Sequence, residues 1–277
     1  MVPMAFQSAP GAPLAVLITG ASSGIGAAVA REYGKRGARV ALLARRKEKL
    51  AEVSRDVPGS IAIACDVNDD ASVQRAVREA LGAFGELDVV VANAGIGVTG
   101  SVEELSIDDY RRQFETNVFG VLRTVKASLS SLKRTSGRLA LLGSVSGFLS
   151  LPGTSAYAMS KFAVRALAEA LGAELAAAGV SVTHVAPGFV ESEIRKVDNS
   201  GQLHAERRDP IPPFLVMSNE RAAHEIVSAV QARRPEVVVT NHGKAATFVA
   251  TRFPRTVHSI VRLASSQVLS RVKAAGG

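Results

Sequence analysis

A tyrosine and a lysine four residues apart have the chemistry of a proton donor and acceptor. Tyr157 and Lys161 lie in the segment Tyr-Ala-Met-Ser-Lys, within a run predicted to be helical, so both side chains project from one face about a turn apart. An unperturbed phenol titrates near ~10, too high for an efficient base at neutral pH, but a fixed ammonium would stabilise the phenolate. The pair suits general acid/base catalysis, although a tyrosine and a lysine at this spacing occur by chance in many helices.

A glycine-rich segment near the start of the chain has the composition of a phosphate-binding turn. Residues 19–26 read Thr-Gly-Ala-Ser-Ser-Gly-Ile-Gly and stand between the first predicted strand and the first predicted helix. In that position, glycines permit a tight turn, let backbone N–H groups approach a pyrophosphate and allow close packing of helix on strand. The helix N-terminus adds a favourable partial charge. The segment predicts a dinucleotide-binding turn, and the alternative is an ordinary loop.

The ends of the second and third predicted strands indicate which dinucleotide is preferred. An NAD pocket would place a carboxylate at the end of the second strand, but this chain has Arg45 and Arg46 there. Guanidinium groups suit a 2′-phosphate, so NADP(H) is predicted; alternatively, both arginines merely begin a solvated helix. Asp66 ends the third strand, where it could accept from the adenine amino group or act as a helix N-cap for the segment after Asn68.

Taken together, the motifs resemble those of the short-chain dehydrogenase/reductase family over roughly residues 14–240. A serine stands thirteen residues before the tyrosine, which is the usual separation in that family. The matching elements, in the family's order, are the glycine turn Thr19–Gly26, Asn93-Ala94-Gly95, the tetrad Asn117, Ser144, Tyr157 and Lys161, and Pro187-Gly188.

The resemblance implies a role for each member of the tetrad. Tyr157 would give its proton to a carbonyl oxygen in reduction and take one in oxidation, and Ser144 would hydrogen-bond the same oxygen. Lys161 would hold the nicotinamide-ribose hydroxyls and lower the Tyr157 pKa, while Asn117 would keep a water in line for proton relay. The alternatives are that Asn117 is a helix-kink residue and Ser144 a strand-end hydroxyl.

The resemblance also implies a set of cofactor contacts. Ser192 stands near the position where the family commonly has a threonine contacting the nicotinamide amide, and Glu191 and Glu193 flank it with negative charge. The residues expected to bind the cofactor are Gly20, Ser22, Ser23, Gly24, Ile25, Gly26, Arg45, Asp66, Val67, Asn93, Ala94, Gly95, Tyr157, Lys161, Pro187, Gly188, Val190 and Ser192.

Short apolar runs alternate with longer helical patterns along most of the chain. This rhythm predicts a Rossmann-type, doubly wound α/β fold, a parallel sheet of about seven strands with helices on both faces. The predicted strands are Leu14–Thr19, Arg39–Leu43, Ile61–Ala64, Leu87–Ala92, Arg138–Leu142, Val180–Val185 and Glu236–Thr240. The predicted helices are Gly26–Arg36, Arg46–Arg55, Ala71–Phe84, Asp108–Leu132, Tyr157–Ala178 and Glu220–Ala232, with Gly37 and Gly179 as left-handed caps.

The alternation of predicted strands and helices is interrupted between residues 189 and 218. This stretch is polar, contains Pro210, Pro212 and Pro213, and ends with the apolar run Phe214–Met217. Because ligands bind outside the carboxyl ends of parallel strands and this stretch leaves such an end, we expect a substrate lid. The alternative is an ordinary surface excursion. Residues 1–240 are thus predicted to form one catalytic domain.

Composition limits the remaining possibilities. The chain has 277 residues, 47% hydrophobic and 21% charged, which describes a globular protein rather than a disordered one. Cys65 is its single cysteine, so we expect no intrachain disulfide, no metal cluster and a reducing, cytoplasmic compartment. We expect no transmembrane segment. We also expect no nucleic-acid binding, because tryptophan is absent and the basic charge lies in the tail.

Residues 241–277 form a basic extension, with six Lys and Arg residues and no Asp or Glu. Its apolar residues have helical spacing, which predicts two short helices separated at Pro254. The stripe could pack on the parent domain or a second subunit, or it could lie on an anionic membrane surface. The residues concerned are the apolar Phe248, Val249, Phe253, Val257, Ile260, Val261, Ala264, Val268 and Val272 and the basic Arg252, Arg255, Arg262, Arg271 and Lys273.

These observations predict an NADP(H)-dependent oxidoreductase that transfers a hydride between nicotinamide and a carbonyl or secondary alcohol. Similar tails occur in relatives of the resembled family that reduce steroids, retinoids and other lipophilic carbonyls, so the resemblance implies a lipophilic, steroid-, retinoid- or acyl-like substrate, and it also implies a homo-oligomer. Two alternatives are a non-catalytic NADP(H)-binding regulator and a membrane-surface interaction protein.

Overall fold

The computed structural model describes residues 12–262 except 205, 207, 210 and 258. Its centre is one parallel sheet with the strand order β3-β2-β1-β4-β5-β6-β7. The chain moves outward from β1 to β3, then returns to the other side of β1 with β4, as in a doubly wound fold. The strands are β1 Ala15–Thr19, β2 Arg39–Ala44, β3 Ile61–Ala64, β4 Val89–Ala92, β5 Arg138–Leu142, β6 Ser181–Pro187 and β7 Glu236–Val239.

Helices cover both faces of the sheet, which confirms the predicted architecture. Successive residues of β1 point to opposite faces, so Val16 and Ile18 join one core with helices α1, α2 and α7, while Ala15 and Leu17 join the other with α3, α5 and α6. The helices are α1 Gly24–Lys35, α2 Lys47–Arg55, α3 Asp70–Phe84, α4 Ile107–Phe114, α5 Gly120–Thr135, α6 Ser155–Glu174, α7 Asn219–Gln231 and α8 Asn241–Arg252.

The long helix predicted over Asp108–Leu132 is divided in the structure. A π-helical turn, Glu115–Phe119, separates α4 from α5, and the Gly120 N–H donates to the Glu115 carbonyl five residues earlier. The apolar spacing continues through this turn, so periodicity alone predicted one uninterrupted helix. Helix α4 starts at a capping box in which Ser106 and Asp109 exchange side-chain to backbone hydrogen bonds.

Other boundaries differ from the predictions by a few residues. Helix α6 ends at Glu174 and a separate 3₁₀ turn, Ala176–Ala178, continues to Gly179, whereas one helix was predicted as far as Ala178. Strand β6 runs on to Pro187 because β7 pairs with its last residues. The two predicted cap glycines, Gly37 and Gly179, both have positive φ.

Segment 189–218 leaves the end of β6 and returns beside its own start. Phe189 and Glu191 exchange backbone hydrogen bonds with Met217, which closes the base of the segment. Further along, Val197 and Leu203 form an antiparallel bridge that folds residues 196–204 into a small hairpin. Backbone hydrogen bonds thus hold the segment together at two places, at its base and in the hairpin.

After β7 the chain continues as α8, and residues 254–257 and 259–262 are again helical. A break at Pro254 was predicted, and α8 ends two residues before it. The predicted stripe positions from Ala264 onward, including Arg271 and Lys273, lie outside the described residues. No helix within the described part of the chain is long and apolar enough to span a bilayer.

Candidate active site

A cavity of about 410 Å³ opens along the carboxyl ends of the strands. Every residue predicted to bind the cofactor lines it, together with Ser144 of the tetrad. Because the strand order reverses between β1 and β4, the loops that follow these two strands diverge and leave a crevice at this edge. Residues that directly follow six different strands meet there: Gly20, Arg45, Cys65, Asn93, Gly143 and Gly188.

The turn between β1 and α1 has the shape that a bound pyrophosphate requires. Gly20 has φ +67°, and a Cβ on it would lie 2.8 Å from the Ala94 Cα, while a Cβ on Gly26 would lie 2.3 Å from the Gly20 carbonyl oxygen. Gly24 has φ +53° and open space where its side chain would be. Ser23 at the N-cap makes no side-chain hydrogen bond to α1, so the first-turn N–H groups can bind an anion. The turn fits a dinucleotide.

Asn93 holds the glycine turn against β4. Its Nδ2 donates to the carbonyl oxygens of Thr19 and Gly20, at 2.9 and 3.1 Å. In return, the Thr19 hydroxyl accepts from the backbone N–H groups of Asn93 and Ala94. These four bonds fix the two loops on either side of the crevice relative to each other.

Two arginines lie at the far end of the cavity, after β2. Arg45 is exposed at the rim. Arg46 reaches over the glycine turn, and its Nη2 donates to the Ser22 and Ser23 hydroxyls at 3.2 and 2.8 Å. The Glu193 carboxylate accepts from the same guanidinium at 3.1 Å. The sequence predicted positive charge at this end of the cavity. Of the two arginines, however, only Arg45 was expected to bind the cofactor.

Asp66 lines the adenine side of the cavity. The alternative reading made it the N-cap of the following helix, which is wrong: Asp69 caps α3, accepting from the Ala71 N–H at 2.9 Å. Asp66 Oδ1 instead accepts from the Asn68 N–H at 3.0 Å and tightens the loop after β3.

Tyr157 lies in the first turn of α6, facing Ser144 at the end of β5. Burial raises the pKa of the phenol, and a hydrogen bond with the Ser144 hydroxyl and the positive charge of Arg195 act in the opposite direction. Ser144 is itself fixed, because its Oγ accepts from the Ser146 N–H at 3.0 Å. The net result is a phenol that keeps its proton at neutral pH and points at a positioned hydroxyl.

Lys161 is only 6% exposed, one turn along α6 from Tyr157. Its Nζ donates to the Leu142 carbonyl at 2.8 Å and lies 5.6 Å from the centre of the Tyr157 ring. Burial lowers the lysine pKa to about 8. The groups that lower the Tyr157 pKa here are Ser144 and Arg195, so the lowering expected from Lys161 stays a prediction.

Asn117 lies in the π-helical turn and is 1% exposed. Its amide brackets Ile96: Oδ1 accepts from the Ile96 N–H at 2.8 Å, and Nδ2 donates to the Ile96 carbonyl at 3.0 Å. Nδ2 also donates to the Ser160 hydroxyl, which donates to the Tyr157 carbonyl. Asn117 therefore lies behind the cavity wall and ties the loop after β4 to α6; the predicted water relay is not tested by these contacts.

The loop after β6 is supported from the C-terminal side by a residue that the sequence analysis missed. His242, in the first turn of α8, accepts at Nε2 from the Phe189 N–H at 3.1 Å, and the two rings stack. Burial lowers the His242 pKa, which favours the neutral ring that can accept. No motif marks His242, because its partner is a backbone group of a distant loop.

The opposite wall of the cavity comes largely from segment 189–218. Ser192 Oγ accepts from the Ile194 N–H at 3.1 Å, which leaves its own O–H free to donate. Arg195 binds Asp209 through Nε at 2.9 Å and donates to the Val190 carbonyl. The apolar residues that line the cavity include Ile96 from the loop after β4 and Ile194, Val197 and Leu203 from this segment.

Comparison with known proteins agrees with this geometry. Residues 14–203 match the short chain dehydrogenase family model, and the chain belongs to that family. A dehydrogenase/reductase SDR family member 7B from Bos taurus is 31% identical, over 82% of this chain and 73% of that protein. An 11-beta-hydroxysteroid dehydrogenase A from Sesamum indicum is 36% identical, over 79% of this chain and 66% of the relative.

Solved structures give the same result. An alcohol dehydrogenase from Thermococcus sibiricus, complexed with 5-hydroxy-NADP, has a TM-score of 0.73 and 29% identity, covering 83% of this chain and 97% of the other. A 3-ketoacyl-(acyl-carrier-protein) reductase from Brucella melitensis, complexed with NADH, has a TM-score of 0.72 and 26% identity, covering 81% and 96%. The chain is thus an oxidoreductase of the short-chain dehydrogenase/reductase family.

Proposed function

We propose that the chain reduces a lipophilic carbonyl, or oxidises the corresponding secondary alcohol, with NADP(H). The observation that carries this proposal is that Ser144, Tyr157 and Lys161 line the same cavity as the glycine turn. A substrate oxygen placed between the Ser144 hydroxyl and the Tyr157 phenol would lie at the opposite end of the cavity from Arg45 and Arg46.

In reduction, the Tyr157 phenol donates its proton to the substrate oxygen, while Ser144 hydrogen-bonds that oxygen and stabilises the charge that develops on it. The raised pKa of Tyr157 keeps the phenol protonated and ready to donate. The nicotinamide supplies or accepts the hydride. Lys161 would hold the nicotinamide-ribose hydroxyls, and Asn117 would keep a water in line for proton relay.

The preference for NADP(H) rests on the cationic end of the cavity. Arg45 and Arg46 follow β2 where an NAD pocket would have a carboxylate, and the Ser22 and Ser23 hydroxyls lie within hydrogen-bond distance of Arg46. Together these groups offer a 2′-phosphate charge-assisted bonds. The structural relatives themselves hold either 5-hydroxy-NADP or NADH, so the arginines carry this part of the proposal.

Replacing the arginines tests the preference. Arg45→Ala and Arg46→Ala should each weaken NADPH by about 10-fold, the size of one charge-assisted hydrogen bond, and NADH by less than about 3-fold. Dissociation constants from cofactor-fluorescence titration measure both. Arg55→Ala, at the exposed end of α2, is the matched control and should change neither. Equal losses of affinity for NADPH and NADH would mean that the arginines support the fold and do not bind the 2′-phosphate.

The substrate is proposed to be lipophilic because the apolar side chains Ile96, Ile194, Val197 and Leu203 line the same cavity as Ser144 and Tyr157. A relative named as an 11-beta-hydroxysteroid dehydrogenase agrees with a steroid-, retinoid- or acyl-like substrate. In this proposal, segment 189–218 is the substrate lid of a catalytic domain that extends to residue 240.

The C-terminal extension is proposed to contact another surface. Small residues such as Thr247 and Ala250 pack inward, but Phe248, Phe253 and Ile260 are 60%, 56% and 57% exposed. The parent domain thus covers only part of the apolar stripe, and an anionic membrane suits the basic residues beside it. We further propose a cytoplasmic homo-oligomer. Phe119 in the π-helical turn and Met159 and Phe162 on α6 are exposed and suit contact with a second copy.

Turnover is the direct test of the proposed function. Purified protein is mixed with NADPH and a panel of steroid, retinoid and acyl carbonyls beside small polar ones, and the loss of nicotinamide absorbance is followed. Turnover of lipophilic carbonyls is expected. NADPH binding without turnover on any member would favour the regulator, while turnover restricted to small polar carbonyls would contradict the substrate class.

A further inference from the structure

A carboxylate of the lid segment occupies the cationic end of the cofactor cavity. Glu193 lies in the 3₁₀ turn Glu193–Lys196 and reaches the residues that follow β2. Its Oε2 accepts from Nη1 and Nη2 of Arg46, both at 3.1 Å, and its Oε1 accepts from the Lys49 ammonium at 3.2 Å. The Glu193 side chain is two-thirds buried. Arg46 and Glu193 line the cavity, and Lys49 binds Glu193 beside them.

The same guanidinium serves the glycine turn. Arg46 Nη2 donates to Ser22, Ser23 and Glu193 at once. An anion that reached the two serine hydroxyls would therefore meet the guanidinium on which Glu193 already sits. Burial would raise the pKa of Glu193, but hydrogen bonds from Lys49 and Arg46 outweigh it and lower the pKa, so the group is charged at neutral pH.

We propose that Glu193 is an internal competitor of the cofactor 2′-phosphate for Arg46 and Lys49, and that this competition limits how strongly the chain prefers NADP(H) over NAD(H). The inference rests on the proposed function, because it assigns the 2′-phosphate to the arginine end. NAD(H) has no 2′-phosphate and leaves the carboxylate in place. When NADP(H) binds, its 2′-phosphate must replace the Glu193 carboxylate as the partner of the Arg46 guanidinium. The phosphate can do so because it carries more charge and more acceptor oxygens than a carboxylate.

The lid segment also has anchors other than Glu193. Asn199 and Thr99 exchange two hydrogen bonds, Nδ2 to the carbonyl at 2.7 Å and N–H to Oδ1 at 3.1 Å. The base is closed by the backbone pairing with Met217. A substitution at Glu193 should thus change the charge at the arginine end while the segment stays in place.

The test is Glu193→Gln, which keeps the shape of the side chain and removes its charge. Dissociation constants at one fixed ionic strength are measured for NADPH, NADH and the fragments 2′,5′-ADP and 5′-AMP, so that no readout needs turnover. We expect NADPH and 2′,5′-ADP to bind about 3–5-fold more tightly, as for the loss of one partly exposed ion pair. NADH and 5′-AMP should change by less than about 1.5-fold.

Two variants serve as controls. Glu191→Gln makes the same change two residues away, where the carboxylate accepts from the Asn219 N–H instead of Arg46, and it should leave all four constants unchanged. In the Arg46→Ala background, Glu193→Gln should have a smaller effect, because the competition for Arg46 is gone and that for Lys49 remains. Glu193→Ala should act in the same direction as Glu193→Gln.

Unchanged or weaker NADPH binding by Glu193→Gln would overturn the inference. So would equal tightening of NADPH and NADH, since that would mean only a general opening of the lid. A wild-type chain that prefers NADH would contradict the NADP(H) preference of the proposed function, but the ratio between variant and wild type would still decide the role of Glu193.

Discussion

Lys161 is an ammonium group held away from water by α6 and β5. Its Nζ has the Leu142 carbonyl as a partner, but a single neutral acceptor does not replace full hydration. Burial therefore lowers its pKa from 10.5 to about 8. The charge that the proposed reaction uses to hold the nicotinamide ribose is thus kept at a cost in folding stability, a frequent property of active sites.

Lys161→Met should abolish turnover and raise Tm at pH 7 by about 2–4 °C, because the charge is no longer buried. The sign follows from the folded pKa being lower than the unfolded one. Below pH 8 both states hold the proton and the folded state bears the full penalty; between pH 8 and 10.5 the folded state loses the proton first, so stability rises with pH. The Tm difference should then shrink.

Differential scanning calorimetry of wild type and variant from pH 7 to 10 measures this difference. Lys133→Met, at an exposed position of α5, controls for the loss of a positive charge and should have a Tm near that of wild type at every pH. A Tm gap at Lys161 that does not narrow above pH 8 would contradict the burial penalty.

At the scale of elements, two asparagines make the same contacts in different surroundings. Asn117 binds both the N–H and the carbonyl of Ile96 from inside the π-helical turn, while Asn199 binds both backbone groups of Thr99 from the exposed hairpin. Water can replace the partners of Asn199 if its side chain is removed. It cannot readily reach those of Asn117, so the buried amide should contribute more to stability.

Asn117→Ala should lower the free energy of unfolding by about 2–4 kcal/mol, because it leaves the backbone groups of Ile96 and the Ser160 hydroxyl without that partner. Asn199→Ala should cost less than about 1 kcal/mol. Urea denaturation followed by circular dichroism measures both. Similar losses for the two variants would mean that the π-helical turn is not held in place by the Asn117 amide.

Helices and strands could be predicted wherever burial produces a regular arrangement of apolar residues along the sequence. The strands are covered on both faces and therefore appear as continuous apolar runs, such as Val89–Ala92, and cap glycines such as Gly37 mark helix ends. The glycine turn and the tetrad spacing indicated where the cavity lies. The π-helical turn, the support by His242 and the contact of Glu193 with Arg46 depend on partners far apart in the sequence, and no local pattern encodes them.

The whole molecule has an uneven charge distribution. The net charge is +8, and residues 241–277 contribute six basic residues and no acidic ones. In the described part of this extension, large apolar side chains stand beside basic ones at the surface. A face of this kind is drawn to anionic lipid by charge and held by apolar burial.

Deleting residues 254–277 should leave cofactor affinity within about 2-fold, because the cavity is built from residues before the deletion. The full chain should sediment with phosphatidylserine vesicles at low salt and be released by high salt, which screens the attraction, while the shortened chain should not bind. Phosphatidylcholine vesicles are the control. If the full chain does not bind the vesicles, the apolar stripe would instead be proposed to contact a second subunit. Sedimentation would support that alternative if the full chain is an oligomer and the shortened chain a monomer.

The proposed reaction requires the Tyr157 phenol to protonate the substrate oxygen as the hydride is transferred in this cavity. The most direct measurement is a single turnover with NADPH that carries deuterium in both C4 positions, in which the alcohol product is analysed by mass spectrometry. Wild type should place one deuterium on the carbinol carbon, and Tyr157→Phe should bind NADPH normally yet form this product at least ~100-fold more slowly. Tyr110→Phe removes a phenol of α4 that is hydrogen-bonded to Ser155 at the start of α6, and it should retain the wild-type rate. Deuterated alcohol formed by Tyr157→Phe at that rate would contradict the account.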